Sequence, residues 1–143
     1  MKELSTIIYS IILALGILTI DFFKFEYICD YPEIGPTFYG FPFVQETNRT
    51  WVNSMSGEIY ILGFLGNLLL WTLFFRVIFQ FFKRFQNKVT FKVIRLLLVV
   101  FCLFNVHMYF SIIDWRFSYS HNNFKLNYYQ SEPYCKRIFK LYK

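Results

Sequence analysis

The sequence predicts a membrane all-α protein, with three transmembrane helices and a small extracytoplasmic cap of aromatic loops and short β-hairpins. Three observations lead there. Of 143 residues, 56% are hydrophobic, 24% are aromatic and 17% are charged, with a mean hydropathy of +0.38, outside the usual composition of a soluble globular domain. Three runs approach the ~20 apolar residues that cross ~30 Å of hydrocarbon. The basic residues are also distributed unequally among the joining segments. Part of the aromatic excess is compositional bias, because Phe, Ile, Lys, Asn and Tyr are all heavily used while Ala14 is the only alanine.

The expected spans are residues 4–20, 59–82 and 93–113 of one polytopic domain, residues 1–143. The first, Leu4 to Ile20, is uncharged. The second is interrupted only by Arg76 and Gln80, and the third has its uncharged part at Leu96–Ile113. Backbone groups in lipid must bond within their own segment, so helices are expected despite the β-branched and aromatic content. Lys2 before an apolar run also fits a signal peptide, but small residues are missing where cleavage would fall (Leu18-Thr19-Ile20-Asp21), so an uncleaved segment is expected.

Orientation follows from Lys and Arg in the short loops. Lys83, Arg84, Lys88, Lys92 and Arg95 carry no acid among them, which makes loop 83–92 cytoplasmic. Loop 21–58 sets Lys24 and Arg49 against six acidic residues and is expected outside. Tail 114–143 is net basic, but only Arg116 and Lys125 lie close enough to the span to weigh, so it too is placed outside. The expected location is a bacterial inner membrane, with the N-terminus cytoplasmic and the C-terminus extracytoplasmic.

Within the outer loop, Thr37–Val44 and Thr50–Val52 read as extended pieces around a polar turn at Gln45–Arg49. In the tail, Arg116–Ser120 and Phe124–Tyr128 alternate apolar with polar around His121-Asn122-Asn123, a hairpin pattern. Cys29 and Cys135 both fall outside, where thiols oxidise, so a disulfide between them is expected, with Cys102 left as a packing residue in the membrane.

Polar residues inside the spans are few. Asn67 and Asn105 each lie eight residues from an outer helix end and are expected to meet at one depth, with Gly63 and Gly66 allowing close helix approach. His107, Ser111 and Asp114 follow at helical spacing toward the outer surface, as a neutral hydrogen-bonded imidazole or as a proton path. Glu58 and Arg116 are expected to form an outer ion pair, and Arg76 to reach for lipid phosphates. Lys136, Arg137, Lys140 and Lys143 interleave with apolar residues and suit an anionic lipid surface or an acidic partner. Asn48-Arg49-Thr50 matches a glycosylation acceptor, a triplet that recurs by chance.

No Gly-rich phosphate loop, Cys-x-x-Cys or His-Glu-x-x-His occurs, so no catalytic residues, metal or cofactor is expected and the chain does not read as an enzyme. The expected partners are membrane lipids and other membrane protein subunits, not nucleic acid. Function on this reading is that of an accessory or assembly subunit of a larger membrane complex, contacting it through helices and cap. Two alternatives stand beside it: a self-oligomerising channel, transporter or proton-conducting element, and a membrane immunity or defence protein.

Overall fold

The computed structural model describes residues 2–20, 22–30, 37–48, 56–82, 89–121 and 131–141. Its elements are α1 (Lys2–Leu18), β1 (Phe23–Cys29), β2 (Thr37–Tyr39), β3 (Glu46–Asn48), β4 (Ser56–Tyr60), α2 (Ile61–Phe81), α3 (Val89–Ile112), β5 (Asp114–Ser118) and β6 (Cys135–Leu141). Six strands form one sheet in the order β5-β4-β3-β2-β1-β6. The fold class is thus corrected from membrane all-α with three spans to α+β. Two helices, α2 and α3, are long and apolar enough to cross a membrane. The apolar part of α1, Leu4–Leu18, is 15 residues, about 22 Å at helical rise, and falls short of the ~30 Å needed.

The contacts divide the chain into two compact units, Met1–Ile20 with Leu68–Ser111, and Asp21–Asn67 with Ile112–Lys143. In the helical unit, Tyr9, Leu13, Phe79 and Cys102 form the buried cluster, supported by Phe75 and Val99. Tyr9 packs on Phe79 with ring centroids 4.8 Å apart. Gly16 meets Cys102 so closely that an added Cβ would overlap its sulfur, which fixes how near α1 and α3 approach. α1 is the buried member of the three, with Ser10 and Ala14 fully covered.

The sheet unit arises partly from segments expected to be extended, β2 within Thr37–Val44 and β5 over Arg116–Ser118, and partly from segments read as loop or turn. Phe23-Lys24-Phe25-Glu26-Tyr27 alternates with period two, the pattern of a strand with two unlike faces. β1 lies between β2 and β6, antiparallel to both, and its pairing with β6 runs in unbroken register from Phe23↔Leu141 to Cys29↔Cys135. The polar stretch expected as a turn supplies β3, paired with β2 and with β4. The chain reverses instead through Gly40–Gln45, where Gly40 takes φ 113° and Phe41-Pro42 is cis. Only glycine accepts that φ readily. β5 pairs with β4 in parallel; the expected hairpin partner Phe124–Tyr128, like Thr50–Val52, lies outside the described residues.

Candidate functional site

The sheet unit is organised around the amide of Asn67, which is fully buried. Its Oδ1 accepts the Phe43 backbone N–H at 3.0 Å, and its Nδ2 donates to the Phe43 carbonyl at 2.7 Å and to Gln45 Oε1 at 3.0 Å. The side chain thus pairs with Phe43 as a neighbouring strand would, and both of its N–H groups are used. The glycines preceding it make the approach possible. A Cβ on Gly63 would sit 2.0 Å from the Val44 carbonyl oxygen, and one on Gly66 would sit 3.0 Å from the Phe43 ring. The Gly63-Phe64-Leu65-Gly66-Asn67 segment therefore receives the 43–45 loop rather than a second helix. Gln45 extends the latch through its backbone, donating to the Tyr39 carbonyl and accepting from the Tyr60 N–H.

One face of the sheet is aromatic. Tyr27, Phe38, Val44 and Tyr60 form its buried cluster, with Phe25 packed against them. His121 lies against both Phe38 and Tyr60, each with ring centroids 5.0 Å away. Burial among these rings lowers its pKa, the nearby Arg137 lowers it further, and Glu58 opposes both. Arg137 stacks over Phe25 at 4.1 Å. On the other face, Glu26 receives Lys140 at 2.6 Å and Lys24 at 2.8 Å, and these hydrogen bonds hold its carboxyl below its ordinary range.

Both shifts act in the same direction with pH. A depressed pKa means that the native state binds fewer protons than the unfolded chain. The stabilisation is complete above the unfolded value and is lost as pH falls through the folded one. For His121 the loss starts at the ordinary imidazole value of 6.5, and for Glu26 at the ordinary carboxyl value of 4.5. Thermal unfolding followed at stepped pH is expected to show the sheet unit weakening below 6.5, with His121→Phe removing that first part of the slope and leaving the acid part. An unchanged slope in the variant would show that the imidazole does not carry it.

The remaining expected site residues are dispersed. Asn105 donates to the Phe101 carbonyl of its own helix at 2.8 Å, while the Asn67 amide serves the 43–45 loop. α3 ends at Ile112, which leaves His107 and Ser111 exposed on the helix and puts Asp114 at the start of β5; the helical spacing that joined the three stops short of the acid. Glu58 and Arg116 are register neighbours across β4 and β5, and the Glu58 carboxylate accepts a hydrogen bond from Ser118. Lys136, Arg137 and Lys140 lie on the exposed strand β6 with their partners on β1, and Lys143 lies outside the described residues. Cys29 and Cys135 are disulfide-bonded, their Cα atoms 4.1 Å apart. Cys102 is a buried free thiol.

Sequence reasoning missed Gln45 and Glu46, which are 2% and 1% exposed. A polar run flanked by aromatics reads as a solvated turn, and only the buried backbone of β3 reveals otherwise. Among the described residues no group of three His, Cys, Asp or Glu side chains is placed to hold a metal. The sheet unit presents aromatics at both edges: Phe117 on edge strand β5 and Tyr119 just after it are exposed, and at the opposite edge Phe139 is exposed on β6 with its lysines and arginine. Comparison with protein-family models, with curated proteins and with solved structures finds no match to the chain.

Proposed function

We propose that this chain is a small integral-membrane accessory or assembly subunit, held in the bilayer by the α2–α3 hairpin and contacting a larger membrane complex through its helices and its disulfide-bonded sheet unit. One observation carries the reading. The most apolar windows of α2 and α3 are only 11% and 6% buried, whereas a core helix of a soluble protein buries its apolar residues within its own fold. Leu69, Leu73, Val77, Leu97, Phe101 and Phe104 all point outward at this level of exposure, so lipid or neighbouring helices must cover them.

The positive-inside count gives the orientation, with Lys83, Arg84 and Lys88 cytoplasmic and the strands flanking the hairpin extracytoplasmic. Ser5 of α1 is bonded to Arg95 near the loop end of α3, which supports a cytoplasmic N-terminus as well. A reporter fused at Gln86 is expected to be active in the cytoplasm and one fused after Lys143 outside it. Purification from native membranes in mild detergent is expected to retain a stoichiometric partner. A cytoplasmic C-terminal reporter would overturn the orientation, and a monomer without partners at every detergent concentration would overturn the accessory role.

A further inference from the structure

The geometry points to a binding site for a two-chained anionic phospholipid at Arg95, between α1, α2 and α3 in the helical unit. It rests on the membrane reading above. Arg95 lies six residues into α3, about 9 Å from its start, the depth at which a guanidinium on an apolar helix reaches the headgroup region. Its Nη2 donates to the Ser5 carbonyl and hydroxyl at 3.1 and 3.2 Å, and its plane covers the Tyr9 ring at 4.2 Å. These contacts fix the head while occupying one of its nitrogens. A guanidinium carries five N–H donors, so with Nη2 engaged the two hydrogens of Nη1 remain to donate to a phosphate oxygen, with the full positive charge behind them.

The Tyr9–Arg95 pair also separates two apolar clefts. One, of about 360 Å³, runs along α1 past Leu4, Ile8 and Ile12 to Val99. The other, of about 160 Å³, lies among Phe79, Phe91, Ile94 and Leu98. Both have Arg95 and Tyr9 in their walls, and neither has an acidic side chain among its described lining residues. One cation between two carbon-lined grooves matches one phosphate between two acyl chains. A soluble phosphate compound would satisfy the cation and leave both grooves unfilled. Lys92, exposed three residues before Arg95 on α3, adds a second positive charge one turn away. Basic pockets between helices at the cytoplasmic side are where anionic headgroups are recognised.

The test compares phosphatidylglycerol with phosphatidylcholine of identical chains, added to the full chain in mild detergent and read by native mass spectrometry. The wild type is expected to retain the anionic lipid about fivefold or more over the neutral one, in line with about 1 kcal/mol per basic residue. Arg95→Gln is expected to reduce that preference to near unity, and Arg95→Lys to keep part of it. Ile12→Trp, which fills the larger cleft and leaves the cation in place, is expected to weaken retention of both lipids. Equal retention by the wild type, undiminished preference in Arg95→Gln, or displacement by excess glycerol phosphate would overturn the site. Alkaline carbonate extraction of the same membranes separates the two levels. Chain released by carbonate refutes the membrane reading itself, and chain that stays embedded without lipid preference refutes this site alone.

Discussion

Asn67→Leu is expected to destabilise the sheet unit by roughly 2 kcal/mol or more, because it strands the Phe43 N–H and the Phe43 carbonyl in a part-buried site, each costing about 1–3 kcal/mol unless water enters. Asn105→Leu is expected to stay within about 0.5 kcal/mol, since among the described residues its amide bonds only a carbonyl of its own helix. Gly63→Ala gives an independent measure of the same latch. Its Cβ would lie 2.0 Å from the Val44 carbonyl oxygen, a backbone atom with no rotamer to yield, so the loop must lift away and the cost is again of the order of 1–3 kcal/mol or above. Thermal unfolding of detergent-solubilised protein, with limited proteolysis to detect release of the Gly40–Gln45 loop, checks all three. Equal losses at Asn67 and Asn105 would mean that the latch does not carry this energy.

That contrast shows what could be read from the sequence and what could not. The long helices were legible because Ile61–Phe81 and Val89–Ile112 carry the length and apolarity that crossing a lipid layer would ask for. The buried asparagine was also legible, and so was the need for small residues beside it. Its partner was not. Gly63, Gly66 and Asn67 permit close approach by any backbone, and only the path of the chain through Phe41-Pro42-Phe43 decides that a loop arrives instead of a helix. The strands outside Thr37–Val44 and Arg116–Ser120 were hidden for a different reason. β1 alternates visibly, but β6 reads Cys-Lys-Arg-Ile-Phe-Lys-Leu, with Lys136, Ile138 and Lys140 on one face and Arg137, Phe139 and Leu141 on the other. Both faces mix charge with carbon, so no period-two signal survives. The strand exists because β1 offers it a full-length partner 106 residues away at the cysteines, and pairing at that separation leaves no local trace. The three-residue strand β3, expected as a turn, is likewise a product of its neighbours.

Removing the bridge, by Cys29→Ser with Cys135→Ser, is expected to lower the stability of the sheet unit by up to about 4–5 kcal/mol, the chain-entropy value for a closed loop of this size. On the membrane reading proposed above, helices held in a bilayer would limit how far the unfolded chain can spread, so the measured loss should fall below that ceiling and should grow when the helices are solubilised in detergent. The two cysteines face each other at the end of the β1–β6 ladder, and the loss should accordingly appear first as exchange of the β6 amides and only later in the helices. The same bond reports on topology, because it persists only on an oxidising side of a membrane. Protein taken from its native membrane with thiols blocked at once is expected to show one reactive cysteine after denaturation, Cys102, and all three after reduction. Three reactive thiols without reductant would place the β1–β6 end in a reducing compartment, and would reverse the orientation along with the stabilisation assigned to the bridge.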